Sequence, residues 1–186
     1  ENGDEIIVAW VRNDAKSLMK EEGTNSICMA KCSASGFEKE ETLTTASGTI
    51  DNYIIYQDET GVQSAFVGES NQVKAVFDTN GNVFQEFAEL MTEADDGTIT
   101  SLHYASGKIG CILNGKLYPY DIAEKKLEAY DAGEDSFGGQ VRYCRNREKE
   151  GYIWSVYDQD TNTGKLMASM KTENGYSTPI ILREEK

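Results

Sequence analysis

Acidic side chains close several of the predicted strands, and these positions suit hydrolytic chemistry. The aspartates that end an apolar or aromatic run are Asp58, Asp121, Asp131 and Asp158. Two carboxylates at neighbouring strand ends can serve as the acid and the base of a glycoside hydrolase. An aspartate in the same position can also accept backbone N–H bonds from the turn that follows it. We favour this structural interpretation.

A second acidic pattern is similar to the start of a calcium-binding loop. Asp158, Asp160 and Asn162 place oxygen-bearing side chains at alternate positions, and Gly164 follows them. The glycine comes one residue later than in an EF-hand, and no acidic residue closes the loop. Calcium is therefore suggested by these three side chains alone, and no other cofactor is expected.

Histidine and cysteine chemistry has few candidates. His103 is the only histidine, and no Ser or Cys beside it forms a nucleophile motif such as GxSxG. We interpret His103 as a hydrogen-bonded structural residue and assign no catalytic residue. The cysteines at 28, 32, 111 and 144 match no zinc-ligand spacing. Cys28 and Cys111 are predicted core residues, and a disulfide between Cys111 and Cys144 stays open.

Aromatic side chains are the candidates for ligand binding, because exposed rings form flat platforms for sugars and peptides. The rings considered are those of Trp10, Tyr118, Tyr120, Trp154 and Tyr157. Trp10 and Trp154 occupy equivalent places in a repeat, so a position in the core suits them as well. In that case binding falls to the loops, of which 14–25 departs furthest from the repeat.

Short strands must position these residues, because turn-forming residues cut the chain into strand-length pieces. Pro occurs 2 times and Gly 17 times, and glycines fall at the ends of short apolar runs, as turns between strands require. Asn114-Gly115 is a clear hairpin signal. An all-β chain of antiparallel neighbours is predicted, with 82–88 among its strands and no more than a helical turn within 14–25.

An internal repeat relates the beginning of the chain to its end. Residues 26–43 align with 165–182 without a gap, which places Gly36 on Gly175 and Cys28 on Met167. A strand with a tryptophan precedes each copy. Both copies are predicted to form the same hairpin, with Cys28 and Met167 buried at equivalent places.

The segment KIGCILNGKLYPYDIAEKKLEAY (108–130) holds a strand, an Asn-Gly turn, a strand ending in Tyr-Asp and a final strand. In this order it resembles the WD-repeat and YVTN-like repeats of β-propellers, whose blades are four-stranded antiparallel meanders. The resemblance implies about four blades in a single domain spanning 1–186. The units expected are about 5–43, 49–90, 98–131 and 139–182.

The first of these units lacks the innermost strand of a blade, and an open stack of blades would expose unpaired strand edges. We therefore expect an incomplete ring or part of a larger propeller, completed by another chain or by further sequence of the same protein. A two-layer β-sandwich is the structural alternative.

Composition limits the partners of the protein. The 32 Asp and Glu against 18 Lys and Arg give a formal charge of −14, which repels nucleic acid and anionic lipid surfaces. No apolar run is long enough to span a bilayer, and ENGDEIIVAW lacks the features of a signal peptide.

The strands rich in Asn, Thr, Tyr and Gly are similar to those of bacterial extracellular propeller domains, which implies a secreted or cell-surface protein. Asp-box turns and an arginine cluster, which mark sialidase propellers, are not recognisable. We expect a noncatalytic binding or interaction module whose ligand is a glycan or a protein. The alternative is part of a carbohydrate-active, glycoside hydrolase-like propeller enzyme.

Overall fold

A computed structural model describes residues 6–16, 22–93, 99–105, 107–127, 141–146, 148–173 and 175–185. The chain divides into two compact units, Glu1–Glu93 and Ala94–Lys186. Each unit contains two antiparallel sheets, so that the described chain has four sheets in all. The prediction of an all-β fold made of about four antiparallel sheets is confirmed. Among the described residues, no helix is long and apolar enough to cross a membrane.

The first sheet is built around its second strand. Its strands are β1 (Ile6–Asn13), β2 (Asn25–Ser33), β3 (Gly36–Phe37) and β4 (Glu41–Ala46). Strand β2 pairs antiparallel with β1 on one side and with β3 and β4 on the other. The helical turn predicted within 14–25 falls partly on 17–21, which lie outside the described residues.

The second sheet completes the first unit. It is a meander of β5 (Ile50–Asp58), β6 (Gly61–Ser70) and β7 (Val73–Asp78). A core shared by the two sheets contains Ile27 from β2 and Phe66 and Phe77 from the second sheet. The rings of Phe66 and Phe77 stack with their centroids 4.9 Å apart.

The prediction of a strand at 82–88 is wrong, because helix α1 (Gln85–Glu93) begins inside this range. Val83 forms only an isolated bridge with Phe77. Phe84, Phe87 and Ala88 are spaced three and four residues apart, so they share one face of a helix rather than alternating along a strand. Phe87 is buried.

The second unit contains the third and fourth sheets. The third sheet is a meander of β8 (Ile99–Ala105), β9 (Lys108–Leu113), β10 (Lys116–Asp121) and β11 (Lys126–Leu127). The fourth contains β12 (Val141–Arg145), β13 (Glu150–Asp158), β14 (Thr163–Thr172), β15 (Gly175–Tyr176) and β16 (Ile180–Glu185). Ile112 and Leu117 of the third sheet share a core with Trp154 and Met167 of the fourth.

The predicted hairpin turns lie where glycine and asparagine occur. Asn114 and Gly115, between β9 and β10, have φ of 49° and 74°. Gly61 between β5 and β6 has a φ of 123°. A side chain with a β-carbon is strained at such angles unless it is Asn or Asp, so these residue types set the turns.

The repeated hairpin is confirmed in detail. Cys28 pairs with Thr42 across β2 and β4, and Met167 pairs with Ile181 across β14 and β16, which are equivalent positions. In each hairpin the register shifts immediately before Cys28 or Met167. Both side chains are buried. The two copies therefore share an irregularity as well as a strand order.

The four sheets span residues 6–46, 50–78, 99–127 and 141–185. Each lies mainly within one of the four units expected from the repeat. The assignment of the whole chain to a single domain stays a prediction.

Candidate functional site

The aspartates at strand ends accept hydrogen bonds from their own turns. The Asp58 carboxylate accepts the backbone N–H of Thr60 at 2.8 Å. Asp121 accepts the N–H groups of Ala123 and Glu124, both at 3.0 Å. This is the structural role predicted for such residues, because the carboxylate closes the turn that follows the strand. Asp131 lies outside the described residues.

These hydrogen bonds also set the acidity of the carboxyl groups. The bonds from Thr60 hold the pKa of Asp58 below its ordinary value. The pKa of Asp121 is lowered chiefly by the N–H of Glu124, and that of Asp158 by Thr161. A general acid for glycoside hydrolysis requires the opposite, a raised pKa that keeps the proton on the carboxyl group.

The residues considered for calcium lie in the turn between β13 and β14. The Asp158 carboxylate accepts the backbone N–H of Asp160 at 2.9 Å. The Asn162 carbonyl oxygen accepts the Tyr157 hydroxyl at 2.7 Å. Within the described ranges, no group of three or more His, Cys, Asp or Glu side chains is placed to hold a metal ion. Calcium binding here stays a prediction.

His103 lies at the centre of an aromatic cluster within the second unit. Its ring stacks on Tyr143 with centroids 5.2 Å apart and meets the edge of Tyr152 at 5.0 Å. The Tyr152 hydroxyl and His103 Nε2 form a hydrogen bond. Tyr176 packs against Tyr152 with ring centroids 5.2 Å apart. These residues, with Glu150 and Lys171, form what we name the His103 cluster.

Glu150 and Lys171 form the charged end of the cluster, and Glu150 holds Tyr143 in place. The Tyr143 hydroxyl donates to Glu150, which also forms an ion pair with Lys171. Partial burial pushes the pKa of Glu150 upward, but the bonds and charge from Lys171 and Tyr143 outweigh it, so the pKa lies below its ordinary value. Burial raises the pKa of both Tyr143 and Tyr152. Both phenols therefore stay protonated.

Burial lowers the pKa of His103 to about 4, although the charge of Glu150 partly offsets this. The imidazole is therefore neutral at pH 7, and it is held by stacking on Tyr143 and by the hydrogen bond to Tyr152. Its partner is a phenol rather than a Ser or Cys nucleophile, so the arrangement supports packing rather than acyl transfer. His103 is hydrogen-bonded, as predicted, and largely buried.

A groove beside the cluster has a volume of about 860 Å³. Glu150 and Lys171 line it together with charged residues at the end of β12, in the β12–β13 connection and just after β14. The charged residues of the lining are Arg145, Glu148, Lys149, Glu150, Lys171 and Glu173. Acidic and basic side chains are equal in number, so the groove favours neither anions nor cations.

The aromatic candidates differ in exposure. Trp154 and Tyr120 are buried, and Trp10 and Tyr118 are partly buried. Tyr157 is 61% exposed. Among the five rings proposed for ligand binding, Tyr157 alone presents most of its surface to solvent. Trp10 lies in the first unit, and the other four rings lie in the second.

A groove of about 300 Å³ adjoins the Tyr157 ring, and we name it the Tyr157 groove. Tyr157 pairs with Gly164 on β14, which in turn pairs with Glu185 on β16. Two residues along, Leu166 pairs with Arg183 on the same face of the sheet. The space above Gly164 is open, because a β-carbon built there would meet nothing closer than 4.0 Å.

Sequence reasoning does not single out the tyrosines of the His103 cluster. The signal that could have found them is Gly110, which interrupts the β9 strand and pairs with His103. A glycine inside a strand often marks the close approach of another group. Here the group is the imidazole, which would lie 1.9 Å from a β-carbon at Gly110.

The cysteines carry no cross-link. All four are free thiols, with Cys28 and Cys111 buried and Cys144 exposed. The disulfide left open between Cys111 and Cys144 is therefore not formed. Burial raises the pKa of the Cys111 thiol to about 12, so it stays protonated and unreactive, as expected of a core residue.

Comparison with known protein families, with curated proteins and with solved structures found no match to this chain.

Proposed function

We propose that this protein is a noncatalytic binding module of a secreted or cell-surface propeller-type protein, and that the Tyr157 groove binds a glycan. The observation that carries this proposal is the exposed Tyr157 ring beside an open groove. The four antiparallel sheets are compatible with propeller-like blades. The extracellular location rests on the composition of the strands.

The groove offers the two kinds of contact that sugars use. A flat aromatic ring packs against the apolar face of a pyranose, and charged or polar groups bind its hydroxyls. The bond from the Tyr157 hydroxyl to Asn162 holds the ring in place. Arg183 and Glu185 of β16 form an ion pair with each other, and they supply hydrogen-bond donors and acceptors on the same face.

A glycoside hydrolase is supported less well. Its acid and base would have to come from Asp58, Asp121 or Asp158, whose lowered pKa values keep them ionised. Their oxygens already accept backbone N–H groups. A binding role does not require any of these three carboxyl groups to be free.

The test is a glycan array combined with a hydrolysis assay on the retained sugars. We expect binding without turnover. Tyr157→Ala should weaken it about tenfold or more, because the variant loses the stacking ring. Phe37→Ala is the matched control, since Phe37 is also an exposed aromatic residue but lies in the first unit. Turnover of a bound sugar, or equal binding by the two variants, would contradict the proposal.

A further inference from the structure

Gly164 lies within strand β14 without a conformational or steric reason of its own. Gly68, Gly110 and Gly151 also lie within strands, but a β-carbon on them would come 2.0, 1.9 and 2.3 Å from a neighbouring atom. A β-carbon on Gly164 would meet nothing closer than 4.0 Å, and the φ of Gly164 is not in the left-handed region. A glycine within a strand often marks a place where a ligand approaches the backbone closely.

The register of the fourth sheet shows what bounds the hollow above Gly164. Tyr157 of β13 and Glu185 of β16 pair with Gly164 from either side, so the three residues form one row across the sheet. Residues of such a row present their side chains on the same face. Leu166 lies two residues further along β14 and occupies the same place in the next row. The hollow is therefore one residue wide, with an aromatic ring on one side, a carboxylate on the other and an apolar side chain at one end.

The internal repeat identifies the same place in the first sheet. Strand β1 aligns with β13, because Trp10 and Trp154 pair with the equivalent residues Cys28 and Met167. Strands β2 and β4 align in the same way with β14 and β16, which share their register shift. The row that corresponds to the hollow therefore has one residue from each of β1, β2 and β4, namely Asn13, Asn25 and Ala46.

Asn25 is the counterpart of Gly164, and it fills this place with a carboxamide. Its side chain is fully buried. The side-chain oxygen of Asn25 accepts a hydrogen bond from Asn13 Nδ2 at 3.1 Å, and its nitrogen donates to the Gly48 carbonyl at 2.6 Å. The first sheet thus holds a neutral amide, hydrogen-bonded on two sides, where the fourth sheet has a hollow. A ligand that fits the hollow is expected to bring a similar group with it.

The charges around the hollow are balanced, which favours an uncharged group. The basic residues that line the groove are Lys165 and Arg183. Arg183 forms an ion pair with Glu185, and the positive charge of Lys165 interacts with the Asp158 carboxylate. The formal charge of −14 on the whole chain also repels acidic sugars. An amide therefore suits this surface better than a carboxylate or a sulfate.

We propose that the Tyr157 groove selects sugars that carry an N-acetylamino group, and that this group enters the hollow above Gly164. This selectivity rests on the glycan binding proposed for the groove. The pyranose ring stacks on Tyr157, the amide N–H donates to the Glu185 carboxylate, and the acetyl methyl group packs against Leu166. The parent hexose carries a hydroxyl in place of the amide, which leaves most of the hollow unfilled.

The test compares two N-acetylated sugars with their parent hexoses on the unmodified chain. The probes are the methyl glycosides of N-acetylglucosamine and N-acetylgalactosamine, and their matched partners are the methyl glycosides of glucose and galactose. Binding is followed by NMR titration up to about 10 mM sugar, because a single sugar ring makes few contacts and binds weakly. We expect one or both N-acetylated sugars to bind about tenfold more tightly than the parent hexose.

The variant Gly164→Asn should remove this preference, because it places in the hollow the carboxamide that the first sheet has there. Lys74→Asn is the matched control and should keep the preference, since Lys74 is an exposed strand residue of the first unit. Thermal unfolding shows whether Gly164→Asn is folded, and the comparison of sugars on the unmodified chain requires no variant. Equal binding of the N-acetylated sugar by the two variants would overturn the proposal.

Failure of this selectivity is distinguishable from failure of glycan binding. If sugars with and without the N-acetylamino group bind equally, and Tyr157→Ala weakens both, the groove binds glycans and the selectivity alone is overturned. If no glycan binds on the array or in the titration, both proposals are overturned.

Discussion

The first and fourth sheets share a repeated hairpin, yet the same face is buried in one and open in the other. Trp154 is fully buried, whereas Trp10 keeps part of its ring in solvent. Tyr176 packs against Tyr152, whereas its counterpart Phe37 is largely exposed. Two segments with the same strand order and the same register shift therefore differ in how much of their apolar surface leaves water.

The difference comes from what lies beside each hairpin. In the second unit, β12 adds Tyr143 and the third sheet adds His103, and together they close the face. In the first unit, no described strand pairs with the outer edge of β1. The repeat thus sets the hairpin, while neighbouring elements decide how much stability its aromatic residues provide.

The largest expected effect tests this comparison directly. Trp154→Ala should lower the free energy of unfolding of the second unit by about 4 kcal/mol, because it empties a filled core position. Trp10→Ala should cost about 1 to 2 kcal/mol, because the partly exposed ring buries less apolar surface. Denaturant titration followed by far-ultraviolet circular dichroism can measure both losses, because the strands of both units contribute to that signal. Equal losses would show that the two faces are equally packed.

The second effect concerns pH and only the second unit. His103 has a pKa of about 4 when folded against an ordinary value of 6.5, so the unfolded chain takes up the proton first. Stability should be fully present above about pH 6.5 and fall by about 3 kcal/mol as the pH drops to about 4.

This slope can be assigned to one residue, because His103 is the sole histidine. Unfolding is followed by denaturant at a series of pH values between 4 and 7. His103→Gln should flatten the dependence of the free energy of unfolding on pH in this window. A slope that persists in the variant would mean that another group is responsible.

A smaller effect is expected where His103 meets its own sheet. Gly110→Ala would place a β-carbon 1.9 Å from the imidazole, which is held by Tyr143 and Tyr152 and has little room to move. We expect a loss of about 2 kcal/mol from this overpacking. Gly164→Ala is the matched control, because its β-carbon would lie in open space. Thermal unfolding of both variants measures the difference. Similar midpoints would contradict the close packing of the His103 ring against Gly110.

The smallest effect should come from the turn aspartates that the two sheets share. The Asp158 carboxylate accepts N–H groups within its short turn, and Asp14, which holds the corresponding position after β1, accepts the N–H of Thr24 at 2.7 Å. Asp158→Ala should lower the thermal midpoint by less than Trp10→Ala does, because the site is exposed.

The contribution of Asp158 also depends on pH, but for a different reason from that of His103. Hydrogen bonds stabilise the charged form of Asp158, whereas burial destabilises the charged form of His103. The lowered pKa of Asp158 means that its stabilising bonds are present above its ordinary pKa and are lost as the pH falls through its folded value. The difference in thermal midpoint between Asp158→Ala and the unmodified chain should therefore shrink in strong acid. A constant difference would exclude the ionised carboxylate as the cause.

Local residue patterns were sufficient for much of this fold. Gly and Asn at the turns predicted the hairpins, since few other residues adopt positive φ without strain. The alignment of 26–43 with 165–182 predicted two equivalent hairpins with Cys28 and Met167 buried, as observed. The pattern misled at 82–88, where three apolar residues fit both a short strand and a helix face and packing decided for the helix.

The candidate site was predicted less completely. The residue type made Tyr157 one of five aromatic candidates for ligand binding. The exposure of each ring depends on which strands lie beside it, and only the folded structure shows this. Trp154 and Trp10 illustrate the point, because equivalent positions in a repeat have different surroundings.

The sequence by itself determined that the chain forms short antiparallel strands, that Gly and Asn lie at hairpin turns and that two hairpins are alike. These properties depend on residues close together in the chain, whose backbone preferences act over a few positions. The tertiary structure decided that His103 is buried among tyrosines, that Tyr157 faces a groove and that the edge of β1 stays open. Those outcomes depend on which distant segments pack together, and that is set by the burial of side chains far apart in the chain.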